Sequence, residues 1–194
     1  MLLFFSIIGS IGSLFLPYPQ AKRAYKVSTD GVSLATYLAL FSVAIIWLPH
    51  GFMNDIPLLA ISNFLATFFI FTVIYSIARD KKNYKIVLGS IAMALFFLFL
   101  YLVGGLVIKV MITTGLSVFL RIPQLHKCIF SQNIRGISIN TWNISGVCNV
   151  AWLIVGIIKK DPGVIFPTIF NSISSFTISY VTYFRRQKIN QKII

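Results

Sequence analysis

Apolar stretches about as long as a bilayer is thick recur along this chain, and they limit what it can fold into. A helix needs roughly 20 predominantly apolar residues to cross the hydrocarbon core. Only helices and closed barrels satisfy their backbone polar groups there. Hydrophobic runs set apart by polar punctuation give seven such segments, at about Leu2 to Gln20, Ser33 to Gly51, Pro57 to Ala78, Ile86 to Val103, Leu106 to Leu125, Ile139 to Ile158 and Pro162 to Phe184. The fourth and fifth are the least clearly divided, with Gly104, Gly105 and Lys109 as the turn signals between them. With 57% of its 194 residues hydrophobic and 11% charged, the chain has room for short loops and none for a soluble domain. The apolar run after Met1 lacks a basic n-region and a small-residue cleavage site, so it is expected to be the first span and not a removable signal.

A net charge of +13, from 17 Lys+Arg against 4 Asp+Glu, would suggest a nucleic-acid partner in a soluble protein. Between apolar spans it reads as topology, because basic residues collect at the cytoplasmic ends. Assigning the first loop to the cytoplasm places fourteen basic residues inside and leaves Lys109, Lys159 and Lys160 outside. The expected N-terminus is therefore external and the C-terminus cytoplasmic, and the short loops suggest a prokaryotic inner membrane, with a small eukaryotic organelle as the alternative. Only Cys128 and Cys148 are present, at a helix end and inside a helix, which argues against a structural disulfide or metal site. No cofactor is expected.

An internal repeat organises the spans. Pro19-Gln20 lies 104 residues before Pro123-Gln124. One inserted residue then brings Gly31-Val32-Ser33 onto Gly136-Ile137-Ser138, Thr36 onto Thr141, Trp47 onto Trp152 and Gly51 onto Gly156; three more bring Asn63 onto Asn171. The chain divides into a first three-helix unit at residues 1–83, a connecting helix at 84–105 and a second unit at 106–194. Two three-span units joined directly would face opposite ways, and a single connecting span restores parallel orientation. The expected fold is thus an all-α membrane protein of seven transmembrane helices, two parallel three-helix bundles joined by a linker helix. That linker is nearly all apolar and is expected to face lipid without contributing chemistry.

Proline inside a span removes a hydrogen bond and clashes with the preceding turn, so Pro19 and Pro123 are expected to kink their helices as hinges. Gln20 and Gln124 would then bond the freed backbone groups. Gly31 and Gly136 suit turns of positive φ, and Ser33 and Ser138 suit helix caps. Trp47 and Trp152, near outer helix ends, would ordinarily be interfacial belt residues. Asn63 and Asn171 argue otherwise, because an unpaired amide in hydrocarbon costs a few kcal/mol and so turns inward. At about 1.5 Å rise per residue, Asn63 lies roughly 9 Å and Trp47 roughly 6 Å from the outer ends of their spans, so they can share a level. Two amides between two indoles suit a neutral polyhydroxylated ligand, whose hydroxyls bond amides and whose C–H faces pack on aromatic rings.

All four acids, Asp30, Asp55, Asp80 and Asp161, lie in or beside loops, so no span carries the carboxylate of a proton relay. Arg121, near the inner end of its span, is expected to snorkel to the cytoplasmic surface. Asp55 and Asp161 sit in matching outer loops near His50, Lys159 and Lys160, either as solvated charges or as an outer gate of charge pairs. No phosphate loop, metal-spaced histidine cluster or catalytic carboxylate pair is found, so no enzyme is expected.

These residues resemble the PQ-loop family, and within it most the SWEET and bacterial semiSWEET sugar transporters. The first unit, with Pro19-Gln20, Ser28-Thr29-Asp30-Gly31-Val32-Ser33, Trp47, Asp55-Ile56-Pro57 and Asn63, looks like a whole semiSWEET chain. The full chain then resembles the 3+1+3 SWEET arrangement of parallel repeats. The resemblance implies a central sugar site of Trp47, Asn63, Trp152 and Asn171, size-selecting positions at Val43 and Cys148, and hinges at Pro19 and Pro123. The second unit departs from the first, spacing Trp152 and Asn171 by 19 residues against 16 for Trp47 and Asn63, and carrying Arg121 before its motif. The function so implied is facilitative uniport of a mono- or disaccharide by alternating access. Two alternatives stay open: a proton-coupled amino-acid transporter similar to cystinosin, and a receptor of the same fold. The lipid bilayer, a small-molecule substrate and a homo-oligomeric copy are the partners considered.

Overall fold

The computed structural model describes residues 2–53, 57–119, 121–160 and 162–191. Its elements are the helices α1 (Leu2–Phe15), α2 (Tyr18–Lys26), α3 (Leu34–Met53), α4 (Pro57–Asp80), α5 (Lys85–Val103), α6 (Leu106–Phe119), α7 (Ile122–Phe130), α8 (Ile139–Lys159) and α9 (Pro162–Gln191), with no strand among the described residues. Seven helical segments are long and apolar enough to cross a membrane, α1 with α2 forming one over Leu2–Lys26 and α6 with α7 another over Val107–Phe130. The chain is a multi-pass membrane protein on that ground. Serines and threonines are common in these spans, and many return their hydroxyl to a carbonyl one turn back, as Ser42 does to Leu38, Thr67 to Asn63 and Ser172 to Thr168. Such bonds let a polar side chain sit in an apolar surround without leaving a donor unpaired.

Helix packing follows the sequence repeat. α3 lies along α4 as α8 lies along α9; α1 and α2 pack on α4 as α6 and α7 pack on α9. Across the units α1 runs against α8, and α3 against α6 and α7. Each first span therefore touches the third span of its own unit and the second span of the other. One apolar core joins α2, α3 and α4 through Ala24, Tyr37, Ile70, Val73 and Ile74; another joins α7, α8 and α9 through Cys128, Trp142 and Ile178. A third cluster of Ala39, Ile46, Tyr101 and Leu116 ties α3 to α5 and α6.

The connecting helix α5 packs on α3, α4 and α6 and buries Ser90, Ala94 and Tyr101, while Leu88, Leu95, Phe96 and Phe99 remain exposed to the surround, as a lipid-facing helix requires. It is not inert, however. The buried Tyr101 hydroxyl meets His50 Nδ1 at 2.6 Å, and the Lys109 ammonium lies 5.2 Å from the same ring.

In the first proline-bearing span a turn at Leu16 and Pro17 separates two helices, and in the second the motif proline again lies in the first turn of a helix. α1 stops at Phe15 and α2 starts at Tyr18 with Pro17 as its N-cap and Pro19 in its first turn. α6 stops at Phe119 and α7 starts at Ile122, with Arg121 as N-cap and Pro123 in its first turn. Each motif proline thus occupies a position where its missing N–H costs nothing.

Candidate functional site

At one end of the bundle the two units hold each other through the glutamines beside the motif prolines. Gln20 Nε2 donates to Gly136 O at 2.6 Å, and Gln20 Oε1 accepts from Ser138 N at 2.6 Å. Gln124 repeats this in reverse, donating to Gly31 O at 3.1 Å and accepting from Ser33 N at 2.7 Å. Both side chains are 1% exposed. The expectation that they bond backbone freed in their own helices is therefore corrected. The freed carbonyls are local, whereas the amides reach the loop that opens the second span of the opposite unit.

Those loops are shaped to receive them. Ser33 and Ser138 cap α3 and α8, accepting at 3.3 Å from Thr36 N and Thr141 N. Gly31 has φ +77°, the left-handed region that glycine enters without strain. Gly136 does not share that φ. It is held to glycine by close approach, since a Cβ there would stand 2.6 Å from both Asp30 O and Ser28 O. Further cross-links bind the same end: Gly136 N to Asp30 O at 3.0 Å, Asn133 Nδ2 to Asp30 Oδ2 at 2.9 Å, and Lys127 Nζ to Val32 O at 2.8 Å. Arg185 donates to Cys128 O and Ser131 O at 2.7 Å each, satisfying carbonyls at the end of α7. Some of the basic residues read as topological markers thus do structural work as well.

Beyond this clasp, a cavity of about 330 Å³ opens between the units. Trp47, Asn63, Trp152 and Asn171 all line it, and so do Val43 and Cys148. The structure therefore brings together the six residues proposed for binding, three from each unit. Neither tryptophan is a belt residue facing away from the bundle. Trp47 stands edge-on to His50, with ring centroids 4.7 Å apart. Trp152 donates from Nε1 to Ser13 Oγ at 3.4 Å and lies flat against Gly9, where a Cβ would come within 2.7 Å of the indole. Small residues on α1 admit α8 this closely. Cys148 Sγ is 3.2 Å from Ser13 Oγ and donates to Gly9 O at 3.1 Å, which fixes the thiol beside the indole.

The two asparagines differ. Asn63 Nδ2 donates to Leu59 O at 2.9 Å, whereas Asn171 Oδ1 is buried without a hydrogen-bond partner. A buried acceptor left unpaired costs about 1–3 kcal/mol. A donor on a bound solute would recover it.

Arg121 departs furthest from expectation. Instead of snorkelling to the surface, its side chain is 7% exposed and lines the cavity. Placed nine residues from Phe130, it lies roughly 14 Å from the end of its span, too deep for the guanidinium to reach water around the clasp. Its Nη1 donates to Ser175 Oγ at 2.5 Å and to Ser145 Oγ and Asn171 O at 3.3 Å, and its guanidinium sits 5.7 Å from the Trp142 ring. Asn149, one residue beyond Cys148, also lines the cavity and donates to Ser145 O at 2.7 Å. Mid-helix serine and asparagine among apolar neighbours at 145, 149 and 175 were the sequence signal for this polar wall.

The lining extends from Arg121 and Thr36 near the clasp to His50 and the exposed Lys159 at the other end, so the cavity reaches the surface there. Asp55 and Asp161, suggested as an outer gate, lie outside the described residues. Among the described residues no group of three or more His, Cys, Asp or Glu side chains is placed to hold a metal. No family model matches the chain, and no curated protein or solved structure matches it.

Proposed function

We propose that this chain is a facilitative carrier that moves a small polyhydroxylated solute across the membrane by alternating access, as the resemblance to SWEET transporters implies. One observation carries the reading: the paired tryptophans and asparagines of the two repeat units line a single cavity closed at one end by the glutamine clasp. Indole faces and amide groups in one enclosed space are what a sugar ring needs. The volume of about 330 Å³ lies at the low end of the roughly 300–1,000 Å³ of small-molecule sites, which favours a monosaccharide over a disaccharide.

The arrangement of the clasp suggests how access alternates. The starts of α2 and α7 lie between the clasp and the cavity, so releasing four amide hydrogen bonds would let α2 and α7 swing while α1 and α6 hold the far end. With the basic loops assigned to the cytoplasm, the clasp closes the cytoplasmic end and the cavity opens outward.

The test is counterflow of labelled sugars in liposomes containing the purified protein, with and without a pH gradient. Sugar counterflow indifferent to the gradient and reduced at least tenfold in Asn63→Ala is expected. Amino-acid movement that requires the gradient would instead establish the proton-coupled alternative.

A further inference from the structure

The cavity contains a charge that has no acidic partner among the described residues and that a neutral sugar would leave uncompensated. Arg121 is buried at its clasp end, in a span that carries no acid. The one ion pair among the described residues, Arg79 with Asp80, lies in the last turn of α4, away from the cavity lining. Asp30 is likewise engaged in the clasp with Asn133. Serine hydroxyls and a backbone carbonyl hold Arg121 Nη1 from behind, through α8 and α9. They fix the group in place but supply no negative charge. A guanidinium presents five donors in a planar fork that matches a carboxylate edge to edge, and the bonds just named all leave from one nitrogen.

A purely structural role, tying α7 to α8 and α9, would account for Nη1 alone. It would not account for a charged group in the lining of the cavity, where an uncharged donor would tie the helices at far lower desolvation cost. Asn171 Oδ1, next to the carbonyl that Arg121 holds, is a buried acceptor without a partner. A cation and an orphan acceptor side by side call for a ligand bearing both an anionic oxygen and a hydroxyl. Lys159 at the open end adds positive potential along the way in.

We infer that the solute carried is a hydroxycarboxylate of monosaccharide size, a sugar acid, with its carboxylate on Arg121 and a hydroxyl donating to Asn171. This rests on the transport reading for the word carried; the binding site itself does not. D-Glucuronate and D-glucose form a matched pair for the test, because they differ only in the oxidation of C6.

Two measurements on the full-length protein separate the ideas. In detergent, thermal stabilisation by glucuronate and by glucose reads binding; in liposomes, counterflow of each reads transport. The expected result is a preference of at least tenfold for glucuronate in both, falling below twofold in Arg121→Gln and partly retained in Arg121→Lys. Stabilisation by glucuronate without counterflow would uphold the carboxylate site and overturn the transport reading. Counterflow of glucose with glucuronate excluded would uphold transport and overturn the carboxylate site. Failure of both solutes to stabilise the wild-type protein would overturn the site as well. The wild-type comparison decides the matter even if Arg121→Gln fails to fold.

Discussion

Gln20→Ala should open the clasped end of the molecule without unfolding it. The side chain makes two hydrogen bonds, both at 2.6 Å and both to the other unit, from a position 1% exposed. A buried hydrogen bond contributes a net 0.5–1.5 kcal/mol, so the pair favours the clasped conformation by about 1–3 kcal/mol. In the open conformation Gly136 O and Ser138 N would meet water, and the substitution costs nothing there. The ratio of open to clasped molecules should therefore rise by about 5- to 150-fold. Leu40 lines the cavity, so Leu40→Cys in a Cys128→Ala, Cys148→Ala background reports access from either face. A membrane-impermeant maleimide applied from the clasp side of oriented vesicles should label Gln20→Ala faster by that factor, and more slowly from the opposite side. Gln124→Ala should act in the same direction, because its two bonds mirror those of Gln20. Labelling rates unchanged in both variants, with melting temperatures held, would refute the claim that these amides set the conformational balance.

Gly136→Ala should have the same consequence by a different route. Its Cβ would collide with two backbone carbonyl oxygens at 2.6 Å, and backbone cannot rotate away as a side chain can, so the loops must part. Clasp-side labelling should rise at least as much as in Gln20→Ala. Gly9→Ala acts on the cavity instead, since a Cβ 2.7 Å from the Trp152 indole must displace the ring and break its bond to Ser13. Solute affinity, read by thermal stabilisation, should fall severalfold, whereas Gly115→Ala, whose Cβ meets nothing within 4 Å, should leave it unchanged.

What was legible in the sequence was whatever a one-dimensional pattern can hold. Hydropathy alone located the seven spans, because a helix in lipid must be apolar along its whole length and not on one face. The repeat then singled out Trp47, Asn63, Trp152 and Asn171 by register, and the cavity contains all of them. The partners of the glutamines were not legible. Gln20 bonds residues 116 and 118 positions away, and nothing near Pro19 indicates that its neighbour will cross to the other unit. Arg121 was misjudged for a related reason. A long basic side chain near a span end usually reaches water, but here Ser145 and Ser175, 24 and 54 positions on, capture the guanidinium inside. The contribution of Tyr101 was hidden likewise by an apolar helix, one of whose two buried hydroxyls meets His50 from another span.

The two units are alike where they grip each other and unlike where the cavity lies. At the clasp, Gln20 and Gln124 make equivalent bonds to equivalent loops, and a closing motion shared by two halves requires that equality. Around the cavity the register of the repeat pairs Pro17 with Arg121 and, one residue shifted, Leu40 with Ser145 and Ala44 with Asn149. At these positions the first unit is apolar, whereas the second carries the charge and an extra amide. Two identical units could not do this, because the same substitution would place two guanidiniums in a cavity of about 330 Å³, where like charges at low dielectric repel strongly and each must also be desolvated. Joining the units in one chain removes that constraint. A single guanidinium can then occupy one wall while its counterpart stays proline, and the site gains a direction that a two-fold symmetric site cannot have. A solute with one anionic end fits such a site in one orientation, with its carboxylate at the clasp and its opposite end towards the open mouth. The charge thus sits at the start of α7, the helix that the proposed cycle must move, where binding can most directly bias the clasp.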